Sequence, residues 1–172
     1  CSVRLQPDVW QWVRSAWLLK THIKALRPIL FVGDSGTAKS VTVSHTLKHL
    51  PADQYQTLFV NMSSRTSSKS LQGIIESNVE KRVKGIYGPP VGKKLVIFID
   101  DHNMPKVDTY GTQQPIALLK LLVEKQGMYD RQELVWNNFK DIIFVGACGP
   151  PGGARAVMDP RYMSLQSSFN IS

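Results

Sequence analysis

A chain of 172 residues, 42% hydrophobic and 20% charged, is long enough to bury a proper core as one domain of ordinary size and carries no low-complexity tract. No run approaches the roughly 18 consecutive apolar residues of a membrane span, so no membrane partner is expected. The net charge of +8 is scattered, with local concentrations at Lys81-Arg82-Lys84 and Lys93-Lys94, whereas nucleic-acid binders gather their basic excess on one face; it reads as a solvated surface plus counter-charge for a polyphosphate, and no nucleic acid is expected. Cys1 and Cys148 give neither metal-ligand spacing nor a disulfide framework, which suits a reducing, intracellular setting. The sequence opens at Cys1 with no basic stretch leading into an apolar one, so no signal peptide is visible and the chain reads as a piece of something longer.

Residues 9–26 carry Trp10, Val13, Trp17, Leu18 and Ile23 at broadly helical spacing, which predicts an amphipathic helix with its tryptophans packed in the core. Pro28 ends it and opens an apolar strand, Ile29-Leu30-Phe31-Val32. Gly33-Asp34-Ser35-Gly36-Thr37-Ala38-Lys39-Ser40 follows, and then a helix over 39–49. Strand, glycine-bearing loop, Lys-Ser and helix is the arrangement that cradles a nucleoside triphosphate. Backbone N–H groups of such a loop point at phosphate oxygens, and the helix N-terminus adds roughly half an elementary positive charge. Lys39 is placed to reach the outer phosphates and the Ser40 hydroxyl to ligate Mg²⁺. One position departs from the pattern, with Ala38 where glycine is wanted. His45 and His49 share a helix face, but without a third ligand nearby they read as surface histidines.

Thr57 to Met62 reads as a second strand. The polar loop Ser63–Ser70 caps a helix running to about residue 82, with Leu71, Ile74, Ile75 and Val79 facing inward. Gly85 to Lys93, with three Gly and two Pro, reads as a rigid turn rather than a strand. Leu95-Val96-Ile97-Phe98-Ile99 is an uninterrupted apolar strand, as a parallel sheet covered on both faces requires, and it ends in Asp100-Asp101. That end is the edge at which open α/β sheets bind ligands. In phosphate-loop enzymes the first carboxylate holds Mg²⁺ and the second orients the attacking water. A helix over 112–126 tolerates Pro115 in its first turn. Residues 127–139 are ambiguous, a hairpin being one reading, and 142–147 form another buried strand. A structured loop at Gly149-Pro150-Pro151-Gly152-Gly153, a short helix from Asp159 bearing Arg161, and a strand over 169–172 complete an α/β layered sheet.

The order of Gly33…Lys39-Ser40, Val96 to Asp101, Ala147-Cys148-Gly149-Pro150-Pro151 and Arg161 resembles the large α/β subdomain of an AAA+ ATPase, a P-loop NTPase three-layer sandwich around a central parallel sheet. The connecting text is narrower. Lys81 to Lys94, Asp100-Asp101-His102-Asn103-Met104-Pro105, Tyr110 to Ile116 and Pro150 to Arg155 are similar to dynein heavy chains, and together look like the third AAA+ module of the motor ring in its axonemal form. On this resemblance residues 1–27 are a helical lead-in and 28–172 the large subdomain, with the small helical lid missing.

The resemblance implies ATP or ADP with Mg²⁺ as ligand, cytoplasm and the axoneme of a cilium or flagellum as location, and neighbouring AAA+ modules of the same chain as partners. Microtubules, reached through other parts, and dynein intermediate and light chains are further implied partners. It also implies a regulatory nucleotide site. Gly33 to Ser40 and Asp100 form the nucleotide site, Ser40 and Asp100 its metal side, Asp101 the water-orienting position, and Arg161 the arginine finger acting in trans, with Arg155 its rival. Three departures bear on chemistry. Ala38 is nearly free if its backbone is helical, and costs of order 1 kcal/mol or more if φ must be positive. Asp101 stands for the usual Glu and is about 1.5 Å too short, where a misplacement near 1 Å can cost roughly a hundredfold. Gly149 replaces the sensor-1 Asn and offers no side-chain donor. Two of the three fall on hydrolysis, so the expectation is a site that binds nucleotide and turns over slowly or not at all. A purely structural ring segment and a free-standing AAA+ ATPase acting on nucleic acid are the alternatives.

Overall fold

The computed structural model describes residues 9–34, 36–152 and 155–171. Five strands, β1 (Ile29–Val32), β2 (Tyr55–Asn61), β5 (Lys94–Asp100), β8 (Ile142–Cys148) and β9 (Ser167–Asn170), form one sheet in the order β2-β5-β8-β1-β9. Every pairing in it is parallel. Parallel neighbours need crossovers, and the helices α1 (Val9–Lys24), α2 (Lys39–Lys48), α3 (Ser68–Glu76) and α4 (Gln114–Lys125) supply the covering layers, with a short α5 (Pro160–Met163). Period-two alternation inside the apolar runs divides the core. Leu30, Leu95, Ile97 and Ile99 face α3 and α4, packing with Leu71, Ile75, Ile116 and Leu119. Ile29, Phe31, Val96 and Phe98 face α1 and α2, packing with Leu19, Ile23, Val43 and Leu47. The result is the expected three-layer sandwich. No helix is long and apolar enough to cross a membrane among the described residues.

Three expectations need correction. The helix predicted to about residue 82 ends at Glu76, because Ser77 Oγ and Asn78 Nδ2 both donate to the Ile74 carbonyl and take up its last turn. Leu71 and Ile75 are buried as expected, but Ile74 is exposed. The region read as a rigid turn contains a strand. β3 (Glu80–Val83) and β4 (Ile86–Gly88) form a hairpin turning at Lys84-Gly85, with Gly85 at φ 75°. β6 (Gly127–Tyr129) and β7 (Trp136–Phe139) form the second hairpin, and β4 joins β7 to give a smaller sheet in the order β3-β4-β7-β6. Arg82 is no solvated charge, since it donates to the Pro89 carbonyl and pairs with Asp141.

The third correction concerns α1. Trp10, Val13 and Trp17 are 84%, 47% and 64% exposed, while Ser15, Leu19 and Ile23 are buried. Positions 10, 13 and 17 make a regular stripe, but it is the outer one.

Candidate functional site

β1 delivers Gly33 to the carboxyl edge of the sheet between two neighbours. Its N–H donates to the Cys148 carbonyl, and an added Cβ there would lie 2.1 Å from the Ile171 carbonyl oxygen, so only glycine fits. The loop turns through Gly36 at φ 90° and Ala38 at φ 54° before α2 begins at Lys39; Ser35 lies outside the described residues. Ala38 therefore takes the costly branch of the expectation, a left-handed alanine serving as helix N-cap without a capping side chain. Thr37 Oγ1 donates to the Asp34 carbonyl and closes the turn.

Lys39 curls under the loop. Its Nζ donates to the carbonyls of Gly33 and Asp34 at 2.7 and 2.6 Å and to Thr37 Oγ1 at 3.1 Å. Burial pulls the Lys39 ammonium below its usual pKa; Asp100 opposes that shift and Arg155 adds to it. With three oxygens around Nζ, the ammonium is held by the loop itself. Ser40 and Asp100 line the same cavity, about 320 Å³ in volume, with Gly36, Ala38 and Asp101.

Asp100 ends β5, and its Oδ1 accepts the Asp101 N–H at 3.0 Å. Asp101 sits at φ 50°, a left-handed conformation that aspartate tolerates better than most residues. Its carboxylate pairs with Arg155, Nη2 to Oδ1 at 3.7 Å. The loops after β5 and β8 are stitched together. Asn103 Nδ2 donates to the Gly149 carbonyl at 2.9 Å, and the Ala156 N–H donates to the Asn103 carbonyl. The Arg155 guanidinium lies against Gly149, where an added Cβ would come within 2.8 Å of its Cζ.

The cavity thus gathers Gly36, Ala38, Lys39, Ser40, Asp100 and Asp101 from the predicted site, and adds Gly149 and Arg155. Arg161 is elsewhere, exposed on α5 beside a separate cavity of about 680 Å³ shared with Gln113, Lys120 and Asp159. Arg155 faces its own module's loop. Sequence reasoning missed that placement, because it depends on two loops from different strands meeting. Of the basic concentrations read as polyphosphate counter-charge, Lys81, Arg82, Lys84, Lys93 and Lys94, none lines this cavity. His45 and His49 are exposed, with ring centroids 4.3 Å apart, and the described residues hold no group of three or more metal-ligating side chains.

Two cations, a hydroxyl and two carboxylates around one cavity beside the loop match a Mg-polyphosphate in donor type. Among these Ser40 and Asp100 carry oxygen donors of the kind a hard divalent cation takes, and Lys39 the positive charge that a phosphate takes. Fold and site together define an α/β P-loop module of the AAA+ type. The family model of the P-loop-containing dynein motor region matches residues 9–172, and the chain belongs to that family. It is 61% identical over 160 residues to the dynein-1-alpha heavy chain of the flagellar inner arm I1 complex of Chlamydomonas reinhardtii, and 52% identical over 159 residues to human dynein axonemal heavy chain 10. Mouse dynein axonemal heavy chain 2 is 43% identical over 159 residues. Each comparison covers 92% of this chain, which spans about 4% of the length of these relatives.

Proposed function

We propose that this module binds ATP or ADP with Mg²⁺ at Gly33–Ser40 and Asp100, and holds it as a regulatory ligand with slow or no hydrolysis. The observation that carries the reading is the composition of the 320 Å³ cavity, where Lys39 and Ser40 face Asp100 while the hydrolytic positions are weakened. Asp101 is short, left-handed and drawn toward Arg155, and Gly149 has no donor. When bound, Mg²⁺ neutralises charge on the phosphates, and Ser40 and Asp100 are the side chains to hold it. The wider reading is the third AAA+ module of an axonemal dynein heavy chain, acting in the cytoplasm and axoneme. Its partners are the neighbouring modules, microtubules through other parts of the motor, and intermediate and light chains.

The test is photolabelling of the full-length chain with 8-azido-ATP, followed by isolation of this module's peptides. Labelling that Mg-ADP competes away, and that Lys39→Ala lowers by roughly a hundredfold in affinity, supports nucleotide binding. Unlabelled peptides favour the purely structural ring segment. Turnover at this site rivalling that of a fully active motor module sinks the slow-site reading.

A further inference from the structure

We propose that Arg155 is the residue that reads the terminal phosphate of the module's own nucleotide, occupying the seat that a side chain at position 149 would otherwise fill. The inference rests on the nucleotide reading above and adds to it a discriminating residue.

Geometry supplies the reasons. Arg155 lines the same cavity as Lys39, Ser40, Asp100 and Asp101. Its guanidinium packs against Gly149, and a Cβ there would stand 2.8 Å from Cζ, 2.9 Å from Nε and 3.0 Å from Nη1. A side chain at 149 would therefore push the guanidinium from its present position. The glycine that removes one phosphate-sensing side chain makes room for another, longer and permanently charged one. The arginine is anchored rather than adrift: its side chain is 29% exposed, and Nη2 stands 3.7 Å from Asp101 Oδ1. At that separation the Asp101 contact is longer than a hydrogen bond, and a phosphate oxygen offers the guanidinium a closer, charge-assisted one. Its backbone is fixed as well, by the exchange of N–H···O bonds with Gly152.

Two cations facing one cavity suit a triphosphate better than a diphosphate. With Lys39 alone the loop holds either nucleotide; with Arg155 added, the extra phosphate gains a charge-assisted partner, and Asp101 is released from it. Occupancy by ATP rather than ADP thereby becomes a change in the loop after β8, which Asn103 ties to the loop after β5.

In the full-length chain, photolabelling this module with 8-azido-ATP and competing with Mg-ATPγS or Mg-ADP reads the two affinities separately. Arg155→Ala is expected to weaken Mg-ATPγS by roughly tenfold or more and to leave Mg-ADP within about twofold. Arg155→Lys should recover part of the loss. Gly149→Ala leaves the arginine chemically intact but takes its seat, and should shift the Mg-ATPγS competition in the same direction. Equal weakening of both nucleotides by Arg155→Ala, or no change in either, overturns the assignment. Absence of label on the wild-type module overturns the nucleotide reading itself and this inference with it.

Discussion

His102 Nε2 and the Tyr162 hydroxyl meet at 2.7 Å in the interior, both side chains being fully buried. His102 Nδ1 lies 3.3 Å from the Ile99 carbonyl, which can only accept, so Nδ1 carries the proton and the tyrosine donates to Nε2. This bond joins the end of β5, two residues beyond Asp100, to α5, one residue beyond Arg161. The carboxylate edge and the candidate finger helix are therefore moored to each other through the core.

Burial lowers the His102 pKa from 6.5 to about 4. Between those values the unfolded chain binds more protons than the folded one, so stability rises with pH across that window. The contribution is fully present above about pH 6.5 and falls by on the order of 3 kcal/mol as pH drops to about 4. Urea unfolding of the isolated chain between pH 4 and 7 should show this. His102→Phe should be less stable than wild type at pH 7, since it removes the bonds of His102 to the Tyr162 hydroxyl and the Ile99 carbonyl, and the gap should narrow toward pH 4. A gap independent of pH contradicts the neutral, buried histidine.

Ala38 at φ 54° holds a left-handed turn without glycine's freedom. Ala38→Gly should relieve strain of about 1 kcal/mol, offset in part by the more flexible unfolded chain, and raise stability by a few tenths to 1 kcal/mol. A higher urea midpoint at unchanged slope is the expected reading. A lower midpoint means the methyl makes packing contacts that outweigh the backbone strain.

Hydrolysis offers a constructive test. Asp101→Glu alone extends the carboxylate but leaves position 149 without a donor. Gly149→Asn supplies the donor and displaces the Arg155 guanidinium, since its Cβ falls 2.8 Å from Cζ. The double variant should raise turnover at this module by roughly tenfold or more in a chain whose other sites are disabled, with the single variants well below it. Turnover that stays flat in the double variant places the block elsewhere.

Arg161 points from α5 toward a groove separate from the phosphate loop. Arg161→Ala in the full-length chain should slow nucleotide hydrolysis at the adjacent module by on the order of a thousandfold if that module depends on a finger, and leave this module's own affinity within about twofold. A loss confined to this module's own binding contradicts a role in trans.

The sheet and the loop were legible because their physics is local. A strand buried on both faces must read as an apolar run, as Leu95–Ile99 does, and a phosphate cradle must place glycine, lysine and serine at fixed offsets. Residues 127–139 allowed a hairpin reading, but the other half of the smaller sheet was hidden because β3 is charged, Glu80-Lys81-Arg82-Val83, and its pairing depends on a turn at Lys84-Gly85 inside a stretch dominated by Gly and Pro. The outward tryptophans of α1 were misread because Trp10, Val13 and Trp17 recur as regularly as Leu19 and Ile23 do. Nothing in the spacing of Gly149 and Arg155 announces that one lies flat against the other. Such a contact arises only when the loops after β5 and β8 are folded side by side.

Three of the four tryptophans in the sequence lie on α1. Trp12 is set apart from Trp10 and Trp17, because its indole stands edge-on to His45 at 5.3 Å and borders a small hollow shared with Thr37, Ala38 and Thr42. Light emitted by that indole depends on the ring beside it and on the posture of the loop across the hollow. The protein thus carries an intrinsic optical gauge at the threshold of its binding loop, readable without an added dye.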